Sequence, residues 1–241
     1  MKAAIFKMYT DVKMGSNANC KKCRDKSNIE TNALSAWLIR DKKYVNNILF
    51  VGKVARGDIL GPIIGKKLED CTSFGDDAIH NYKWPFWRYS KDIIQNVYGD
   101  LQTGLKYISM TNLVKCNNTS TNDSTQNIVR DYCIRKNQFI LKEIEILHPT
   151  TIIFYTGYFY DDFIDEFIPS FATLKWDVKN RRNKVAVGNK FMPWWERKYL
   201  IDSEKVVMNM LRVGHPERKN KKEYVGMVSS WIRKSISEIK S

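Results

Sequence analysis

Four short apolar runs, spaced along the chain, constrain the fold of this protein more than any other feature of its sequence. They cover residues 47–52, 107–113, 151–155 and 206–213, and each ends in a polar or glycine-containing turn. Short β-branched runs of this kind are typical of buried strands in a parallel sheet. A shorter run at 185–187 predicts a fifth strand.

Helical periodicity separates the second and third runs. Apolar residues recur there at three- and four-residue steps, with Ser124 or Thr125 as the predicted N-cap. They are Val129, Tyr132, Cys133, Ile140, Ile144 and Leu147. Alternation of strand and helix predicts an α/β fold with three α/β/α layers around a mostly parallel sheet of four to five strands.

The length and composition of the chain favour one domain. Its 241 residues, 43% of them hydrophobic, are enough to bury a full core, and we predict a single domain over 1–241. Residues 14–31 are polar and show neither helical nor strand periodicity, which predicts an N-terminal loop.

The net charge indicates the class of partner. Forty Lys and Arg against 26 Asp and Glu give a formal charge of +14, which attracts polyanions, and DNA is the first partner to consider. A basic surface that only aids solubility is the alternative. The N-terminus lacks the apolar run of a signal peptide and no stretch has the ~20 apolar residues of a membrane span, so we expect a cytoplasmic protein without a membrane partner. We expect it to be a monomer.

The cysteines form a set of four with one left over. The set is a close pair in the predicted loop, a third just past a strand and a fourth in the following helix: Cys20, Cys23, Cys116 and Cys133. Four thiolates are enough for a tetrahedral zinc ion or a [4Fe–4S] cluster, and their spacing does not choose between them. Isolated core thiols, with only the close pair meaningful, are the alternative.

The surroundings of these cysteines resemble the iron–sulfur, family-four branch of the uracil-DNA glycosylase superfamily. The resemblance covers 111–116 (TNLVKC), 131–133 (DYC), 141–149 (LKEIEILHP) and the strand at 151–155 with Gly157. It implies a uracil-DNA glycosylase-like fold and a [4Fe–4S] cluster on the four cysteines, with zinc as the alternative. The cluster would tie the N-terminal segment to the strand–helix unit.

The same resemblance implies two catalytic residues. Residues 213–216 (VGHP) are similar to the superfamily's His-Pro-Ser motif, with Glu217 in the Ser position, so His215 would donate to the leaving base anion. A donor of this kind lowers a barrier by ~3–4 kcal/mol. Asn112 resembles the residue whose amide reads the Watson–Crick edge of the flipped base, because an amide both donates and accepts.

The loop after the first strand departs from the family. It reads GKVARGD at 52–58, with Lys53 where the branch has an acid, and we predict that Gly52, Lys53 and Val54 line the base pocket. Asp58 is the nearest carboxylate and becomes the candidate for positioning water, with capping of the next turn as the alternative.

The aromatic residue that stacks on the base must also come from elsewhere. The stretch matching the branch's Phe motif is GPIIG at 61–65, which puts Ile64 in the predicted pocket. Residues 82–89 (YKWPFWRY) interleave aromatics with cations, as base-stacking surfaces do, so we predict Trp84 and Phe86 as stacking partners. Core packing is the alternative.

Six cations are candidates for holding the DNA backbone, with a solvated charge run as the alternative. They are Arg56, Arg88, Arg218, Lys219, Lys221 and Lys222.

The sequence therefore predicts a monofunctional DNA glycosylase that flips a base out of DNA and hydrolyses its N-glycosidic bond. Lys53 and the missing Phe favour a modified pyrimidine, such as the glucosylated hydroxymethylcytosine of phage DNA, removed in antiviral defence. The alternatives are repair of uracil or deaminated bases and a catalytically inactive DNA-binding module. A zinc-dependent nuclease fits the charge but lacks the usual acidic cluster.

Overall fold

A six-stranded mixed sheet forms the centre of the protein. The computed structural model describes residues 1–29, 32–42, 44, 47–55, 68–116, 125–167, 184–201 and 205–240. The strands are β1 (Ile48–Gly52), β2 (Ile108–Asn112), β3 (Thr151–Phe154), β4 (Lys184–Val187), β5 (Lys190–Ile201) and β6 (Lys205–Val213). Their order is β2-β1-β3-β6-β5-β4, and the first four are parallel.

Helices cover both faces of the sheet. They are α1 (Lys2–Asp11), α2 (Ala18–Asp25), α3 (Leu68–Asn81), α4 (Pro85–Tyr98), α5 (Leu101–Leu105), α6 (Asn127–Arg130), α7 (Phe139–Leu147), α8 (Asp161–Phe167) and α9 (Lys221–Lys240). Helices α1, α2 and α6 to α8 pack on one face with Leu49, Ile152 and Met210. Helices α3, α4, α5 and α9 pack on the other with Phe50 and Leu211. The predicted three-layer α/β fold is confirmed.

The predicted number of strands was too low by one. The four long apolar runs are β1, β2, β3 and β6, and the short run at 185–187 lies in β4, but β5 was missed. This strand is antiparallel to both of its neighbours. Its apolar residues 191–195 contain Pro193, which is atypical of a strand interior, and they are flanked by the exposed Lys190, Glu196 and Lys198. The sequence feature that could have identified β5 is the two-residue hairpin turn Gly188–Asn189, where Gly188 has a φ of +58°.

The N-terminal segment predicted as a loop contains helix α2. The side chain of Asn17 caps this helix by accepting the backbone N–H of Cys20 at 2.9 Å. Its buried residues are Cys20 and Cys23, one turn apart, and the other six side chains are mostly polar. The apolar periodicity that identifies longer helices is therefore absent from this part of the sequence.

The single helix predicted between β2 and β3 is interrupted. Helix α6 continues into a π-helical turn at Asp131–Lys136, and α7 begins only after Gln138, whose φ of 53° is left-handed. The N-cap of α6 is Gln126 rather than Thr125, while Ser124 lies outside the described residues. The wider π-helical turn changes which side chains share a face, so α-helical spacing does not describe this segment.

In the described parts of the chain, no helix is both long enough and apolar enough to cross a membrane.

Candidate functional site

The carboxyl ends of the four parallel strands lie side by side. Gly52 of β1 is in register with Asn112 of β2, and Phe154 of β3 is paired with both Val51 and Arg212. The pairing continues past β3, where the N–H of Tyr155 donates to the carbonyl of Val51 at 2.9 Å. Ligands of parallel sheets bind at this edge.

The Asn112 amide and the Phe86 ring both lie beside Gly52 at this edge. A Cβ atom on Gly52 would lie 2.2 Å from the end of the Asn112 amide and 3.3 Å from Cε2 of Phe86, so a side chain at this position would have to displace the amide. Phe86 lies in the first turn of α4, and its ring meets that of Tyr155 edge-on at 5.7 Å. The structure thus brings together an amide and an aromatic ring that the sequence predicted separately.

Trp37 fixes the orientation of the Asn112 amide. Both ends of the amide are satisfied when its oxygen accepts from Nε1 of Trp37 at 2.9 Å and its nitrogen donates to the Thr111 carbonyl at 3.3 Å. An Asn amide has two donor hydrogens and two acceptor lone pairs, so this arrangement leaves one of each for a ligand. Sequence reasoning missed Trp37, although it lies in the apolar stretch 33–39.

The other predicted pocket residues have different positions. Lys53 is half-buried directly after β1, and its carbonyl accepts the N–H of Val114 at 3.0 Å. Val54 is buried in the core on the opposite face of the sheet from Phe86. Trp84 is the N-cap residue of α4 and packs edge-on against Tyr82. Asp58, Arg56 and Ile64 lie outside the described residues.

Two buried tyrosines hold the loop that follows β6. The hydroxyl of Tyr224 donates to the carbonyl of Gly214 at 2.9 Å, and that of Tyr89 donates to the carbonyl of Lys219 at 3.0 Å. Burial raises the pKa of Tyr224 well above its usual value, which keeps its hydroxyl protonated as a donor. The His215 loop, residues 214–219, is therefore anchored at both ends. These tyrosines were also missed by sequence reasoning.

His215 is partly exposed within this loop. Its side chain is 27% accessible, and Nδ1 accepts the backbone N–H of Glu217 at 3.3 Å. An acceptor role for Nδ1 places the proton of a neutral imidazole on Nε2, which becomes the donor. Oε2 of the Glu217 carboxylate lies 4.0 Å from Nδ1.

Basic side chains surround the His215 loop. Arg218 is 82% exposed and has a left-handed φ of 60°. Burial lowers the pKa of Lys219, and the charge of Lys190 lowers it further. Lys221 pairs with Asp92, and Lys222 is exposed in the first turn of α9. Arg88 is exposed on α4, with its guanidinium 5.5 Å from the ring centre of Tyr89.

The four predicted ligand cysteines lie on one face of the sheet. Cys20 and Cys23 are on α2, Cys133 is in the π-helical turn, and Cys116 follows β2 in contact with the same core. Cys71 belongs to the core of the opposite face. The separation by face matches the predicted division into a set of four and a leftover thiol.

The four thiols are close enough to influence one another's ionisation. Burial raises the pKa of Cys116 to about 12, an effect that Arg24 opposes and that Cys20 and Cys23 reinforce. Burial also raises the pKa of Cys133, with Cys116 and Cys20 adding to it. A cation placed among them would convert these thiols to thiolates.

Nearby N–H groups suit sulfur ligands. The backbone N–H of Lys115 donates to Sγ of Cys133 at 3.2 Å, and Nδ2 of Asn137 donates to Sγ of Cys20 at 3.7 Å. Hydrogen bonds of this kind tune the potential of iron–sulfur clusters. The donor set therefore fits such a group chemically. Among the described residues, no three His, Cys, Asp or Glu side chains as placed form a group that could hold a single metal ion.

A buried ion pair links the two candidate sites. Nζ of Lys115 lies 2.5 Å from Oε1 of Glu143 and donates to Oγ1 of Thr111 at 2.7 Å, and Tyr9 donates to the same carboxylate. Lys115 and Glu143 are both almost completely buried. The network joins α1 and α7 to the short stretch between Asn112 and Cys116.

Comparison with known proteins adds no family assignment. No protein-family model matches the chain, and no curated protein matches it.

Proposed function

We propose that the protein is a monofunctional DNA glycosylase, which hydrolyses the N-glycosidic bond of a base extruded from DNA and leaves an abasic site. The observation that carries the proposal is the placement of the Asn112 amide and the Phe86 ring beside Gly52, in the same row of strand ends that leads into the His215 loop. The net charge of +14 supports DNA as the partner. A cytoplasmic location and a monomeric state belong to the same proposal.

Each residue has one role in the proposed reaction. The ring of Phe86 stacks on the extruded base, and the Asn112 amide, oriented by Trp37, pairs with the edge of that base. Nε2–H of His215 donates to the negative charge that develops on the departing base. One such donor lowers the barrier by about 3–4 kcal/mol. Asp58 is the proposed residue for orienting the attacking water.

The proposed substrate is a modified pyrimidine, such as the glucosylated hydroxymethylcytosine of phage DNA, removed in antiviral defence. The half-buried Lys53 directly after Gly52 supports this choice, because an ammonium group donates to the hydroxyls of such a substituent. Uracil or another deaminated base is the alternative substrate.

The test is a glycosylase assay on duplexes that contain uracil, hypoxanthine, hydroxymethylcytosine or glucosylated hydroxymethylcytosine, with alkali revealing abasic sites. We expect cleavage of the glucosylated duplex, and a strong reduction by His215→Ala. His80→Ala is the matched control, because His80 is exposed on α3.

A second candidate function is a catalytically inactive DNA-binding module. This function is favoured by Lys53, because the iron–sulfur branch that the chain resembles has an acid at that position. In that case the four duplexes release no base, and DNA affinity is the same for the wild type and His215→Ala.

We also propose that Cys20, Cys23, Cys116 and Cys133 hold a [4Fe–4S] cluster, with zinc as the alternative. The cluster would supply a covalent link between α2 and the segment from β2 to the π-helical turn. Its test is iron and sulfide content together with absorbance near ~400 nm. We expect Cys133→Ala to lose both signals, while the control Cys71→Ala keeps them because Cys71 lies in the other core. Zinc without iron would overturn the cluster.

A further inference from the structure

The side chain of Lys115 is a buried cation that the proposed reaction does not use. It is 1% exposed, and its Nζ lies 2.5 Å from Oε1 of Glu143, which is 0% exposed. Replacing a buried ion pair by apolar side chains of similar volume is often neutral or stabilising, so net stability alone does not account for this pair. Fully bonded polar networks of this kind do, however, fix the relative positions of the groups that they join.

One hydrogen bond of Lys115 leads to the partner of the Asn112 amide nitrogen. Nζ donates to Oγ1 of Thr111 at 2.7 Å, and Thr111 is completely buried in β2. The carbonyl of the same Thr111 accepts the Asn112 amide nitrogen at 3.3 Å. The main chain of Lys115 is held as well, because its carbonyl accepts the N–H of Leu34 at 2.8 Å. Lys115 therefore fixes one of the two groups that orient the amide.

A second path leads from the same ion pair to the partner of the amide oxygen. The hydroxyl of Tyr9 donates to Glu143 and accepts the backbone N–H of Ala36 at 3.0 Å. Ala36 directly precedes Trp37, whose Nε1 donates to the oxygen of the Asn112 amide at 2.9 Å. Both partners of the amide are thus attached to one set of buried side chains. We call this set the Lys115 cluster, and its members are Tyr9, Thr111, Lys115 and Glu143.

We infer that the Lys115 cluster is a positioning unit for base recognition, which sets the orientation of the Asn112 amide. The inference rests on the proposed function for the role of Asn112. Tyr9 belongs to the core on one face of the sheet and Trp37 to the core on the other, so the cluster acts through the backbone and not by touching the base. A misplacement of about 1 Å costs about 100-fold in rate, so disconnecting the cluster should slow base release without weakening the hold on the DNA backbone.

The first test changes only the hydroxyl that joins Lys115 to β2. Thr111→Val replaces this hydroxyl by a methyl group of similar shape. We expect the indole N–H of Trp37, assigned by its absence in Trp37→Phe, to shift in proton–nitrogen NMR spectra and to exchange with water about 10-fold faster. Single-turnover base release should slow by about 100-fold at unchanged duplex affinity. Thr111→Ser keeps the hydroxyl and should retain the wild-type indole signal and most of the rate.

The second test separates positioning from stability. Lys115→Met combined with Glu143→Leu removes both charges and keeps the volume, so the protein should melt near the wild-type temperature. It should nevertheless show the shifted Trp37 signal and the slow release. The matched control is Lys198→Met with Glu238→Leu, which removes a Lys–Glu pair of 2.8 Å whose lysine is exposed on β5. This control should behave like the wild type in every assay.

Several outcomes overturn the inference. A wild-type Trp37 signal in Thr111→Val and in the Lys115–Glu143 double variant would do so, as would a Thr111→Ser variant as defective as Thr111→Val. A shifted signal combined with a wild-type rate of base release would also overturn it. If the signal responds as expected but no substrate releases a base, the glycosylase proposal fails while the cluster still positions the amide. Base release with an unchanged Trp37 signal in all variants gives the reverse.

Discussion

Replacing Gly52 with Ala tests the candidate base site through a single methyl group. The added Cβ would lie 2.2 Å from the Asn112 amide, whereas non-bonded carbon atoms rest about 3.5–4.0 Å apart. The amide must therefore move by more than about 1 Å, which breaks its hydrogen bond with Trp37 or displaces Phe86. Gly52 lies in a strand and has no left-handed φ, so the steric contact is the main effect.

The expected magnitude follows from this displacement. Overpacking of a buried site costs about 1–3 kcal/mol, and each kcal/mol lowers the melting temperature of a domain this size by about 2–4 °C. A group misplaced by about 1 Å loses about 100-fold in rate. We therefore expect a lower melting temperature in thermal unfolding and about 100-fold slower base release under single-turnover conditions.

Gly226→Ala is the matched control for this substitution. Gly226 is exposed on α9, and a Cβ there meets no atom within 4 Å. Because Ala favours helix over Gly by about 0.5–1 kcal/mol, this variant should be as stable as the wild type or slightly more stable. If Gly52→Ala instead matched Gly226→Ala in both assays, the close packing of Asn112 against the end of β1 would be refuted.

Three further predictions concern the anchored loop, a buried ion pair and the charge of the surface. Tyr224→Phe removes the donor to the buried Gly214 carbonyl, and we expect a loss of about 1–3 kcal/mol in urea unfolding together with slower base release; full activity would contradict the anchoring role. Asp161→Asn removes the carboxylate that accepts from Arg212 at 2.9 and 2.6 Å, and should cost about 3–5 kcal/mol, whereas Asp11→Asn, in an exposed pair, should cost under about 1 kcal/mol. Arg218→Ala should reduce the slope of log affinity against log salt by about one for a duplex, and an unchanged slope would remove Arg218 from the DNA contacts.

Much of the fold was predictable because its central strands are buried on both faces. Strands β1, β2 and β3 were predicted to within one residue at each end, since a strand covered by helices on both sides is largely apolar, although β2 also buries Ser109, Thr111 and Asn112. The signal fails for β5, which is antiparallel and exposes Lys190, Phe191, Glu196 and Lys198 while burying Met192 and Trp195. It also fails for α2, where burial of two thiols replaces the usual apolar stripe.

The candidate site was predictable only in part. Asn112 lies at the end of one predicted strand and His215 follows another, so their position at the carboxyl edge follows from the topology of the sheet. The contact between Phe86 and Gly52 depends on how α4 docks against the sheet, which no local pattern encodes. The same is true of Tyr224, because its partner, Gly214, is recognisable only once α9 is packed beside β6.

Release of the free base tests the central proposal most directly. Wild-type protein in excess over a duplex with one glucosylated hydroxymethylcytosine should yield the free modified base by mass spectrometry, and an abasic strand of matching amount. His215→Ala should slow this release by about 100- to 1,000-fold while binding the duplex with unchanged affinity. No free base from the wild type, or equal rates for both proteins, would contradict the assignment of His215 as the donor to the leaving base.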